Sequence, residues 1–336
     1  MGYSLEILNN IRDNASDAYK SRIPEATQTN IANVGNAIRD YEFAYNEFID
    51  SLIHKIGKTL IESKLFKNKL AVFKCGEIMN QQDVEEIFVN MANAAVAYDP
   101  DGKNPLGRRN NADVQVAYHR MNRRDCYEIT IGDVDFLRAF KSEGALDQFI
   151  KGLINSVYSR AAHDEWILMK ELLADHKEHY FDYQVYDIGS DDPARYAKDF
   201  VKVLRKAIND VGFASDQYNE AGVTTWSNPE DLVLLVNKDV VAEVDVEVLA
   251  KAFNLGKTDF TVPVIVMDDF GSMANTYGLL IDKDFFRVWD TLSRMETQRN
   301  AQGLFTNFFY HVHQILSLSP FKTAVRITTD EAKGTE

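Results

Sequence analysis

Two histidines, His311 and His313, sit two residues apart in the stretch GLFTNFFYHVHQIL at 303–316. On a β-strand, side chains two apart project from one face. Both imidazoles would then point the same way and could begin a metal site in an enzyme. Neither face of that strand supplies a carboxylate or a third histidine, so the ligand set is partial, and a packing or interface strand is the simpler reading. DHKEH at 175–179 places His176 and His179 on one side of a helix, but it lacks the H-E-x-x-H spacing of a zinc protease. A solvated helix end, where the dipole favours histidine, is the expectation there. Two stretches end in Gly-Lys-Thr, IGKT at 56–59 and LGKT at 255–258. A phosphate-cradling loop needs a further glycine ahead of that motif, and Leu52 and Lys251 occupy those positions. DPDGKN at 99–104 is similar to a calcium loop, yet aligning Gly102 with the turn glycine puts Ala97 and Arg108 at ligand positions that need oxygen. Cys75 and Cys126 lie in no CxxC pattern, though both flank one long excursion and could face each other. No G-x-S-x-G elbow or dinucleotide fingerprint occurs, so we assign no catalytic, cofactor-binding or metal residue and expect no enzyme.

The elements that must hold these residues read as a mixture of helix and strand. The chain has 336 residues and 45% hydrophobic content, enough for one large domain or two ordinary ones. No run approaches the eighteen or so apolar residues of a membrane helix, and no secretory signal is evident. Two cysteines fit a reducing compartment. A formal charge of −14 repels nucleic acid as a whole, so contact with it would need a local basic patch.

The first twenty residues are polar and are expected to form a poorly ordered arm. Ile31, Val34, Ile38, Tyr41, Tyr45, Phe48 and Leu52 recur at helical spacing, with Gly57 as the expected end. LAVFKCGEI, VQVAYHRM and CYEITI read as strands around the excursion YDPDGKNPLGRRNNAD, whose prolines, glycines and asparagines mark exposed chain. The surroundings are basic, with Lys103, Arg108, Arg109, Arg120, Arg123 and Arg124. A basic arm on an acidic protein is what a self-associating subunit would carry. The segment from Gly144 to Tyr180 is the longest helical signal, a rod of roughly 50 Å at ~1.5 Å per residue. An α/β alternation follows: a helix opened by Pro193, the apolar strands DLVLLV, VPVIVM and GLLID, and a helix over VDVEVLAKAFN between the first two. FFRVWD, the histidine stretch and TAVRIT complete the strands, and the tail after 328 is polar.

The order of these parts resembles the Hong Kong 97-type phage capsid fold, an α+β architecture. In detail IANVGNAI, AEVDVEVLAKAFNLGKTDF and GLLIDKDFFRVWDTLSRMETQRNAQGLFTNFFYHVHQILSLSPF are similar to the major capsid proteins of phi29-like short-tailed bacteriophages, a likeness running from Pro24 to Thr328. The resemblance implies an N-terminal arm at 1–60, an extended β-hairpin E-loop at 61–135, a peripheral domain with a spine helix at 136–185, an axial domain at 186–285, peripheral return strands at 286–328 and a polar tail at 329–336. It implies a structural protein that self-assembles, as hexamers and pentamers, into an icosahedral head shell enclosing double-stranded DNA. Implied partners are other copies, a scaffolding protein during assembly, a portal protein at one vertex and DNA held without sequence preference, with no membrane. Assembly in the host bacterial cytoplasm and residence in the virion capsid follow, as does the lack of an added immunoglobulin-like domain or a built-in scaffold. Candidate E-loop contacts between subunits are Arg108, Arg109, Arg120, Arg123 and Arg124, and candidate acidic partners on the spine helix are Asp164, Glu165 and Glu171. His311 and His313 become interface residues whose protonation would tune assembly near pH 6. The alternatives are an encapsulin-like cellular compartment shell and a metal-dependent enzyme using His311 and His313.

Overall fold

The computed structural model describes residues 3–41, 43–45, 47, 48, 51, 66–78, 82–92, 95, 100, 111–134, 143–185, 193–243, 263–273 and 275–329. Among these, helices α1 Tyr3–Asn14, α2 Asp17–Arg22, α3 Ile31–Asp40, α4 Glu143–Asp175, α5 Pro193–Val211 and α6 Lys238–Glu243 alternate with strands. The strands are β1 Lys74–Glu77, β2 Val84–Val89, β3 Val114–His119, β4 Arg123–Gly132, β5 Phe181–Gln184, β6 Leu232–Asn237, β7 Val264–Met267, β8 Thr276–Asp282, β9 Phe286–Asn300, β10 Phe305–Leu318 and β11 Ala324–Thr328. The architecture is α+β, and the chain divides into two compact units. The helix expected over 244–254, both Gly-Lys-Thr motifs, Arg108, Arg109 and the residues beyond 329 lie outside the described residues.

The first unit comprises residues 1–68, 123–166 and 290–314. Its strands lie in the order β9-β10-β4. β4 pairs antiparallel with β10, from Phe305 opposite Gly132 to Gln314 opposite Arg123. Strand alternation sends Thr306, Phe308, Tyr310, Val312 and Gln314 to the buried side. There Tyr310 and Val312 pack with Val157 and Ala161 of α4. Phe308 and Ile131 meet the N-terminal helices through Leu5, Leu8, Ile11, Tyr19, Ile31, Val34 and Ile38. The expected disordered arm is therefore a correction: Leu8 and Ile11, three apart, make an apolar stripe that hydropathy averaged over a polar segment conceals. Polar side chains also fix it. Ser16 caps α2 by accepting from the Tyr19 amide at 3.2 Å, and Glu47 accepts from the Ser16 amide and hydroxyl at 2.6 and 2.8 Å.

The second unit comprises residues 69–122, 167–289 and 315–336. A five-stranded sheet of order β5-β11-β8-β6-β7 carries its core. LVLLVN reads as continuous apolar chain because β6 is covered on both faces, with Leu232 to Val236 buried. The apolar stripe of α5, Phe200, Leu204, Ala207, Ile208 and Val211, closes one face. Arg326 of β11 stands opposite Asp182 of β5 and forms a two-pronged ion pair at 2.7 and 2.6 Å. Both are buried, and the planar fork satisfies both carboxylate oxygens. LAVFKCGEI is only half strand: Lys69–Phe73 forms a 3-10 turn that buries Leu70 and Phe73 before β1 begins.

Candidate functional site

β2 and β3 form a two-stranded antiparallel sheet, from Val84 opposite His119 to Val89 opposite Val114. Alternation splits VEEIFV and VQVAYH into two faces of unlike character. Ile87, Val89, Val114, Val116 and Tyr118 share the open face, followed by Met91, and each is at least 43% exposed. The other face carries Glu86, Phe88 and His119 toward the rest of the second unit. Phe88 stacks on Phe321 with ring centres 5.4 Å apart, and Asn90 accepts from the Thr224 amide at 3.2 Å. An ordinary sheet turns its apolar face to its own core. Here the apolar ladder faces away from the chain, the arrangement of a contact surface.

The inward face is ionic. Glu86 Oε1 accepts from Arg287 Nη2 at 2.5 Å, Arg287 Nε at 3.2 Å and Ser319 Oγ at 3.0 Å. Its Oε2 lies 3.0 Å from His119 Nε2, and His119 Nδ1 lies 2.8 Å from Ser317 Oγ. Burial pushes the Glu86 carboxyl up, but bonds from His119, Arg287 and Ser319 outweigh that and hold it at about 2. In the sequence β3 shows as the run VQVAYH, whereas VEEIFV at 84–89 pairs two adjacent glutamates with three adjacent apolar residues and does not alternate, so β2 goes unmarked.

The arginines singled out in the sequence fall in different surroundings. Arg120 and Arg124 are exposed. Arg123 is 4% exposed and turned into its own unit. It donates to Asp125 Oδ2 at 2.6 Å, Gln314 Oε1 at 2.5 Å, Tyr127 Oη at 2.7 Å and the Ala161 carbonyl at 3.2 Å. Tyr127 in turn donates to Asp164 at 3.0 Å, and Gln314 Nε2 donates to Glu165 at 2.5 Å and Asp290 at 2.6 Å. Glu165 also accepts from Asn68 at 2.7 Å. Arg123, Asp164 and Glu165 thus meet within one subunit, bridged by Tyr127 and Gln314. Glu171 stays exposed on α4.

His311 and His313 lie on the half-open face of β10, opposite Cys126 and Arg124 of β4. The Cys126 thiol is 3.9 Å from His311 Nε2. Cys75 approaches the Phe286 carbonyl at 3.6 Å, and both thiols are free. Among the described residues no three histidine, cysteine or acidic side chains gather to hold a metal ion. DHKEH departs from the expected solvated end. α4 stops at Asp175, and a 3-10 turn tucks His176 edge-on against Tyr180 and Phe285. Burial, with His179 second, lowers the His176 pKa to about 4.

An outward apolar ladder on an ionic root is suited to contact with another protein surface, and comparison with known proteins bears on what it meets. Residues 8–328 match the family model described as "Phi29-like phage major capsid protein". The chain is 35% identical to the major capsid protein of Bacillus phage B103, over 98% of this chain and 73% of that one. It is 28% identical to the major capsid protein of Streptococcus phage Cp-1, over 95% and 92%. Its fold is similar to a chain in the capsid structure of Staphylococcus phage Andhra, with a TM-score of 0.63, 14% identity and coverage of 81% and 86%.

Proposed function

We propose, for a chain that belongs to the Phi29-like phage major capsid proteins and so builds the phage head shell, that neighbouring copies join through the outward face of the β2–β3 hairpin. The observation that carries this is the ladder of Ile87, Val89, Val114, Val116 and Tyr118, apolar and facing away from its own core. A subunit that only folded would bury such a face; a subunit that assembles presents it to the next copy. The exposed Arg120, next after β3 and 3.4 Å from Asp83, gives the contact a polar rim, and Arg108, Arg109 and Arg124 are further candidates for contacts between copies, with Glu171 of a neighbour as an acidic partner. Arg123, Asp164 and Glu165 shape the subunit that makes the contact.

On this reading the hairpin is the heart of an E-loop at 61–135. The N-terminal arm is 1–60, the peripheral domain 136–185 with return strands at 286–328, the axial domain 186–285 and the tail 329–336. The role is structural, supported by relatives that are capsid proteins, and it places the chain in the virion capsid, assembled in the host cytoplasm. A scaffolding protein, a portal protein and packaged DNA complete the partners, the DNA held without sequence preference by a shell of net negative charge. Relatives from phages favour neither a cellular compartment shell nor a metal enzyme built on His311 and His313.

The test is Ile87→Lys with Val116→Lys, two cross-strand partners on the exposed face. The variant is expected to fold as the wild type does by circular dichroism yet to give no shells under negative stain. Shells in normal yield would refute the docking face.

A further inference from the structure

The hairpin is attached to its own subunit by the opposite of what an ordinary sheet uses, and that sets how its docking face is aimed. We propose that Glu86 is the positioning residue of the hairpin, an ionic latch that fixes the angle at which the apolar face is presented to a second copy. Its consequence for assembly rests on the docking surface described above; the latch itself does not.

Among the described residues, the inward side chains make two ring contacts, Phe88 on Phe321 at 5.4 Å and His119 on Trp289 at 5.7 Å, which hold the hairpin close without fixing its angle. Orientation therefore falls to polar bonds. One carboxylate reaches Arg287 of β9 and Ser319, the residue after β10, so β2 is tied to two places in the trunk. The same carboxylate meets His119 of β3, and His119 meets Ser317, whose hydroxyl donates to the Arg287 carbonyl at 3.0 Å. Both strands of the hairpin thus close on the group Arg287, Ser317 and Ser319, β2 through Glu86 and β3 through His119. Charge-assisted bonds are directional where apolar contact is not, so four donors on one side chain define an angle. Side-chain exposures of 16% for Glu86 and 19% for Arg287 keep water from competing fully. A two-stranded hairpin released from its support is marginal in water, so losing the latch would fray the hairpin and leave the five-stranded sheet alone.

Amide hydrogen exchange on the unassembled full-length chain tests this. In Glu86→Gln, peptides over 84–89 and 114–119 are expected to exchange at least ten-fold faster than wild type, with 232–237 and 276–282 unchanged. Glu86→Asp, which keeps the charge on a shorter arm, is expected to recover part of the protection. Should Glu86→Gln fail to fold, Arg287→Gln breaks the same bond from the trunk side and is read the same way. Unchanged hairpin exchange, or equal loss of protection in the five-stranded sheet, would overturn the latch. Because exchange is read before assembly, that failure is separate from normal shells in the Ile87→Lys, Val116→Lys variant, which would remove the docking face instead.

Discussion

His176 shows how burial redirects a residue that sequence alone leaves on the surface. Its ring is buried against Tyr180 and Phe285, and Glu220 at 3.6 Å is too far for a hydrogen bond and partly open to water. Burial therefore wins, and the pKa falls from 6.5 to about 4. The sign follows directly: below pH 6.5 the unfolded ring takes up a proton that the folded ring refuses until about pH 4. Stability is full above 6.5 and is lost as pH falls through that window. Between pH 7 and pH 5 the loss is roughly 2 kcal/mol at 1.36 kcal/mol per pH unit. His176→Phe, which can keep the aromatic packing, is expected to lose about that much less than wild type in urea unfolding across the same interval. Parallel slopes for the two proteins would refute the assignment. Arg123 carries the same lesson in reverse. As one arginine in a basic stretch it reads as a surface group, and only the packing of β4 on α4 reveals that its guanidinium is spent on Asp125, Gln314, Tyr127 and a carbonyl.

At the scale of elements, most of the framework was legible because its signals are local. Pro193 opens α5 where the first-turn preference for proline predicts, and β6, β8, β10 and β11 follow their apolar runs. The 33-residue α4 was read from periodicity with its ends within a few residues. Two kinds of element were missed. β2 and β5 are short and carry acidic residues, so neither length nor hydropathy marks them, and their partners β3 and β11 lie far along the chain or across a helix. The N-terminal helices were misread because the arm is polar on average while its burial depends on one stripe. That stripe makes a testable difference. Ile11 is wholly buried among α2, α3 and β10 residues, so Ile11→Ala is expected to cost about 2–4 kcal/mol in chemical unfolding. In a frayed arm the same change would fall within ~0.5 kcal/mol, and a value that small would show the arm undocked.

For the whole molecule, 51 acidic against 37 basic residues set copies against one another. Two such subunits approach against their net charge, and salt weakens that repulsion once the screening length falls to about 8 Å at physiological ionic strength. Contacts made by the apolar ladder of Ile87, Val116 and Tyr118 are not weakened by salt, since they depend on area removed from water. Contacts made chiefly by Arg120 and Arg124 with Glu171 would be weakened by the same ions. Salt therefore favours assembly where the ladder dominates, by screening the net repulsion, and opposes it where the ion pairs dominate, and repetition over a closed shell amplifies the outcome. Because exposed ion pairs are worth ~1 kcal/mol or less while a buried Ile, Val or Tyr contributes about 1.5–3 kcal/mol, the apolar term should lead. The concentration of free subunit left beside assembled shells is therefore expected to fall as sodium chloride rises from about 0.05 to about 0.5 M, a range over which the screening length drops well below that at physiological strength. Light scattering with sedimentation of the free pool would measure it. A rise in free subunit over that range would mean that the arginine rim, and not the hairpin ladder, holds one copy to the next.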